Sequence, residues 1–274
     1  MATQTEKETL INELQASYDN LEAFPDKMNF PPLMVEIHKG LVSAEPQEVR
    51  SSVCELRRVQ KYERKLFILM FKAEKYLLKS LIHIEMYRKD ILILLSEMLY
   101  QDKNGESLFD RMKSFIKNIL KVIAENKRDE VHQIASVIID TCINFELPFD
   151  QIETFVSLLS SKNRTLVDLC SYYIERIFFS LEFQTNLTIV NWDFIFDKLG
   201  NMAVKKVNFD IAQKVLFLFK KGFDENEWIE ILSEATNEAL IKLQMLDNFD
   251  VNKVIEYKEK RDEIEDDIDT SIQE

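Results

Sequence analysis

The sequence predicts an all-α chain built as an α-solenoid of about six stacked helix pairs, with an extra helix ahead of the first pair. Three observations predict it. Gly and Pro number only 4 and 5 in 274 residues, too few for the tight turns of a β-sandwich or barrel, whereas long helices with short loops need few. Apolar residues recur at steps of three and four, the spacing that sets them on one helix face. Short polar loops between such stretches return at a nearly constant interval, as in arrays whose units bury their apolar faces only against their neighbours.

The elements follow in order. Thr5 with Glu8 reads as a capping box, and Leu10, Ile11, Leu14, Tyr18 and Leu21 give a first helix that ends near Phe24-Pro25. This N-terminal helix takes residues 1–24. Residues 25–32 contain three prolines and read as a linker, after which Leu33, Ile37 and Leu41 resume the helical period. The repeat domain then spans 33–262 and an acidic tail 263–274. Polar loops fall at 43–48, 85–90, 125–130, 160–165, 201–206 and 247–250. Their spacing of about 40 residues suits a two-helix HEAT unit better than an ankyrin or tetratricopeptide unit. Stretches 67–81 and 91–99 are apolar on more than one face, which predicts the most buried helices. Phe178, Phe179, Phe217 and Phe219 read as core, and 251–268 as a last helix with Lys258 spaced to pair with Asp262.

Charge and chemistry narrow the function. Acids outnumber bases 48 to 35, a net charge of −13, with nine acids against three bases in 256–274. That field opposes polyanions, so no nucleic-acid partner is expected. No leader and no long uncharged apolar run is present, which predicts a cytoplasmic chain, or one that reaches the nucleus by passive routes, with no membrane partner. Cys54, Cys142 and Cys170 are odd in number and lack CxxC spacing, so they read as reduced core residues. His38, His83 and His132 are far apart, and there is no HExxH, calcium loop or glycine-rich phosphate loop. Neither metal, cofactor nor catalysis is expected, and the chain is read as no enzyme.

One pattern points to binding. The loops carry Tyr87, Arg88 and Lys89, then Lys127 and Arg128, then Lys162 and Arg164, then Lys205 and Lys206. In a solenoid such loops line one edge, and a basic ridge on an acidic body suits an acidic protein partner. Polar loops are commonly lysine-rich, however, and Glu85, Asp90, Glu125, Asp129 and Glu130 flank these bases.

The run Ser161-Lys162-Asn163-Arg164 with Leu166, Cys170, Tyr173 and Ile174, then Ala212, Phe219 and Phe223 before a closing helix at 228–243, resembles the TOG domains of the CLASP family. The likeness is clearest over 125–243; the N-terminal half is similar mainly in repeat length and loop placement, with Pro46-Gln47-Glu48-Val49-Arg50 like the family's first loop and helix. Departures are a first loop, Ser43-Ala44-Glu45-Pro46, without an aromatic, and Val167 and Asn208 where arginine is frequent. The resemblance implies a non-catalytic module that binds αβ-tubulin or microtubules through its loop edge and regulates their dynamics at the cytoskeleton or spindle. It implies contacts from Lys162 and Arg164 first, then Lys127, Arg128, Lys205 and Lys206, then Arg88, Lys89 and an exposed Tyr87. The alternative is a HEAT scaffold or adaptor that grips another protein on its concave face.

Overall fold

Helix α1, Gln4–Asp19, opens a chain whose regular structure is helical throughout the described residues. The computed structural model describes residues 4–100, 108–125, 129–144, 150–179 and 190–272. Two compact units divide the chain, Met1–Phe145 and Glu146–Glu274.

In the first unit α1 is followed by α2 (Phe30–Leu41), α3 (Pro46–Tyr62), α4 (Arg64–Leu81), α5 (Glu85–Glu97), α6 (Phe109–Met112), α7 (Ile116–Ile123) and α8 (Glu130–Asn144). Helix pairs α2–α3, α4–α5 and α7–α8 pack as hairpins; α3, α5 and α8 stack in one layer, and α2 packs on α4 in the other. Each amphipathic helix thus buries its stripe on its partner and on the next pair, as a repeat array requires. Helix α1 lies on α5 and α8.

Proline explains where α2 and α3 start. Pro31 and Pro32 occupy the first turn of α2 and Pro46 that of α3, where an N–H would lack a helical partner anyway. The linker expected at 25–32 therefore ends at Asn29. Thr5 does not cap α1, because it lies inside the helix and its carbonyl accepts from Thr9 Oγ1 at 2.9 Å. Nor does α1 reach Phe24. Lys61 Nζ donates to the carbonyls of Tyr18 and Asp19 at 2.9 and 2.8 Å, and Arg58 to those of Glu22 and Ala23 at 3.0 and 3.2 Å. These side chains satisfy carbonyls that another helical turn would have used.

The second unit contains α9 (Asp150–Leu158), α10 (Arg164–Phe178), α11 (Trp192–Val204), α12 (Phe209–Lys221), α13 (Glu225–Ser233), α14 (Asn237–Leu243) and α15 (Val251–Ile272). Here α9, α11 and α14 form one layer, α10 packs on α12, and α13 packs on α15. The expected helix 228–243 is two helices. Asp224 caps α13 with a complete capping box, and Thr236 caps α14, its hydroxyl accepting from Ala239 N at 3.2 Å while its own N–H donates to Asp193 Oδ1 at 2.9 Å.

Aromatic rings form the core of this unit. Phe219 lies 5.3 Å from Phe178 and 5.4 Å from Trp192, and Phe196 lies 5.8 Å from Trp228, measured between ring centroids. Phe179 and Phe217, also expected in the core, are 60% and 55% exposed. At about 100° per residue, a neighbour one or two positions from a buried ring turns toward solvent.

The cysteines divide as well: Cys142 and Cys170 are buried and Cys54, expected in the core, is exposed on α3. Burial raises the Cys142 thiol pKa and pushes that of Cys170 up to about 12. A thiol reagent at neutral pH is therefore expected to modify one site, Cys54, in the native protein, and the other two only in urea. Mass spectrometry of the labelled peptides checks this; rapid native labelling of Cys142 or Cys170 would contradict it.

Candidate functional site: the loop edge

Within the second unit two loops at one edge are locked together. In the first, residues 159–163, Ser161 Oγ accepts from Asn163 N at 3.1 Å and Asn163 caps α10 by accepting from Leu166 N at 3.2 Å. In the second, residues 205–208, Val207 N donates to Met202 O at 3.0 Å and Lys206 N to Ala203 O at 3.1 Å. That bond pair is a Schellman cap, whose left-handed residue is usually glycine. Here it is Lys206, at φ 51°, at a backbone cost of about 1–2 kcal/mol relative to a right-handed conformation.

Asn208 fastens the two loops. It is also left-handed, φ 46°, a conformation asparagine tolerates. Its amide nitrogen donates to Leu159 O at 2.7 Å and to Ser161 O at 3.0 Å. Arg164 adds a second tie, reaching Asp210 Oδ2 at 2.9 Å and Asp168 Oδ1 at 3.0 Å. The Arg164 hydrogen bond holds the Asp210 carboxyl below its usual range. Lys162, Lys205 and Lys206 remain exposed, with no ion pair among the described residues. The result is three free ammonium groups on a braced pair of loops, with the guanidinium beside them neutralised.

The next loop, 244–250, breaks the pattern. It brings Asp247, paired with Lys220 at 2.6 Å, and Asp250. Between it and α12 runs an open groove lined by Asp210, Gln213, Lys214, Phe217, Leu246 and Asp247.

The first unit treats its loop bases differently. Residues 85–90, expected as a loop, form the first turns of α5, and the connection is 82–84. Tyr87 and Arg88 consequently face inward and are each 7% exposed. Arg88 donates to Ile82 O at 3.0 Å and pairs with Glu125 at 2.6 Å, so it braces the fold and does not face a partner. Lys89 is exposed but bound to Glu130 at 2.7 Å. Lys127 and Arg128 lie outside the described residues.

Other polar groups have structural partners. His38 Nδ1 lies 2.8 Å from Glu74, and His83 Nε2 lies 2.9 Å from Asn118, with the His83 pKa lowered by burial and then by Lys121 and Arg88. Among the described residues no group of three His, Cys, Asp or Glu is placed to hold a metal ion. Compared with known protein families, curated proteins and solved structures, the chain matches none of them.

Proposed function

We propose that the chain is a non-catalytic binding module that holds an acidic protein partner on the loop edge of its second unit. The partner implied by the resemblance to CLASP TOG domains is αβ-tubulin. The observation that carries the reading is the trio Lys162, Lys205 and Lys206, exposed and unpaired on loops that Asn208 clamps together. Preorganised loops lose little conformational freedom on binding, so more of the contact energy appears as affinity. Unpaired ammonium groups add orientation and encounter rate, an effect that salt weakens. No chemistry is required of the module: it holds a tubulin dimer and biases assembly, leaving nucleotide hydrolysis to tubulin.

Co-elution with purified αβ-tubulin tests this. The native chain is expected to bind at low salt, and Lys162→Glu/Lys205→Glu/Lys206→Glu to bind at least about ten-fold more weakly, since rim charges act on association and on salt dependence. Undiminished binding by a folded triple variant would remove the loop edge from the interface. A second reading, an adaptor that grips a peptide, is favoured by exposed Phe217 in the groove against Leu246. It predicts sensitivity to Phe217→Ser and none to the lysine changes.

A further inference from the structure

Helix α4 is a basic element in an acidic protein. It carries Arg64, Lys65, Lys72, Lys75 and Lys79 against a single acid, Glu74, and Glu74 is buried against His38. Lys65, Leu69, Lys72, Tyr76 and Ser80 are all exposed and follow at steps of four, three, four and four, which sets them in one stripe along the helix. Leu69 is 61% and Tyr76 78% exposed, so two large apolar side chains alternate with lysines on that stripe.

Helix α7 extends the charge. Phe115, in the turn just before it, lies 5.6 Å from Phe71 of α4, Asn118 of α7 reaches His83 in the turn just after α4 at 2.9 Å, and α7 exposes Lys117 and Lys121. Among the described residues Lys65, Lys72, Lys75, Lys117 and Lys121 make no ion pair. Burial and then the Lys75 charge lower the Lys79 pKa, and its ammonium sits over the Phe115 ring at 5.6 Å.

We infer that this face is a peripheral docking surface for an anionic lipid bilayer, with the lysines of α4 and α7 on the headgroup phosphates and carboxylates and Leu69 and Tyr76 at the boundary with the acyl chains. Clusters of about four to eight bases on an amphipathic helix are the scale that binds anionic lipid. Their aliphatic stems let lysines keep the charge in the headgroup layer while neighbouring apolar side chains enter. From Lys65 to Ser80 the stripe runs about 22 Å along one helix, a length that a flat surface can meet. Leu69 gains by entering a bilayer and gains nothing from a nucleic-acid backbone or an acidic peptide laid over the lysines. No spanning segment is needed, and no helix among the described residues is long and apolar enough to cross a membrane. Such docking departs from the expectation of no membrane partner, which rests on the lack of a leader and of a long uncharged apolar run and addresses spanning, not a reversible surface contact.

Co-sedimentation with phosphatidylcholine vesicles, with and without phosphatidylserine, tests the inference on the full chain. The native protein is expected to bind only the vesicles that contain phosphatidylserine, and less as salt rises. Lys72→Glu/Lys75→Glu/Lys117→Glu should lose at least about ten-fold in binding, and Leu69→Ser/Tyr76→Ser several-fold, both with native circular dichroism. The loop-edge variant Lys162→Glu/Lys205→Glu/Lys206→Glu should bind vesicles like the native chain, which separates this surface from the proposed protein site. Failure of the native chain to bind, equal binding by the α4–α7 charge variant, or loss of binding in the loop-edge variant would overturn it. A chain that ignores vesicles but binds RNA or an acidic protein through these lysines would also overturn it.

Discussion

Glu97→Ala is expected to lower the unfolding free energy by about 3–5 kcal/mol, because it leaves a half-buried guanidinium without its counter-charge. Glu97 is fully buried and receives Arg57 Nε at 2.9 and 3.0 Å from its two oxygens, while Arg57 also donates to Ser17 Oγ of α1 at 3.0 Å. The pair thus joins α1, α3 and α5. Tyr18 and Tyr100 stand edge to face, centroids 5.2 Å apart, and burial followed by the Glu97 charge pushes both phenols up to about 12. Burial outweighs Arg57 and raises the Glu97 carboxyl above its usual range. The folded state therefore takes up this proton more readily than the unfolded chain, and the ionised carboxyl weakens the fold as pH rises through its raised pKa. Removing both partners is the revealing contrast: Arg57→Met/Glu97→Leu should cost far less than Glu97→Ala. Urea unfolding followed by circular dichroism measures both, and a single-variant loss below about 1 kcal/mol would show that the pair bears little of the unit's stability.

Phe219→Ala should cost the second unit a similar amount, about 3–5 kcal/mol, through lost burial and the cavity left between Phe178 and Trp192. Phe219 is fully buried with rings on two sides. Phe217→Ala, two residues away but exposed, should change stability by no more than about 0.5 kcal/mol. Thermal melts of the two variants decide it. Equal losses would mean that Phe217 is packed as tightly as Phe219.

Helical period made the all-α class readable, since apolar steps of three and four survive any detail of packing. Helix ends were harder. The first turns of α5 carry Glu85, Arg88, Lys89 and Asp90, and a polar helix start looks like a loop until the neighbour that buries Arg88 is known. The break between α13 and α14 was hidden because Glu234 and Ala235 suit a helix, and the Asp193 carboxylate that holds Thr236 lies 43 residues away. The same distance effect hid the clasp. Asn208 stood out only as a departure from a family pattern, yet its partners are 47 and 49 residues distant. Of the loop bases, sequence spacing located Lys162, Lys205 and Lys206 but could not separate them from Arg88, Lys89 and Arg164, whose acids arrive from other repeats. The lysine stripe of α4 was masked by the apolar residues on its several faces.

The most direct measurement is amide hydrogen exchange on the chain alone and bound to αβ-tubulin, resolved by peptide. Residues 159–163 and 205–208 are expected to gain protection on binding while α4 and the groove side of α12 do not. Protection confined to α10 and α12, with the two loops exchanging as in the free chain, would place the partner on the helix face and contradict the loop-edge site.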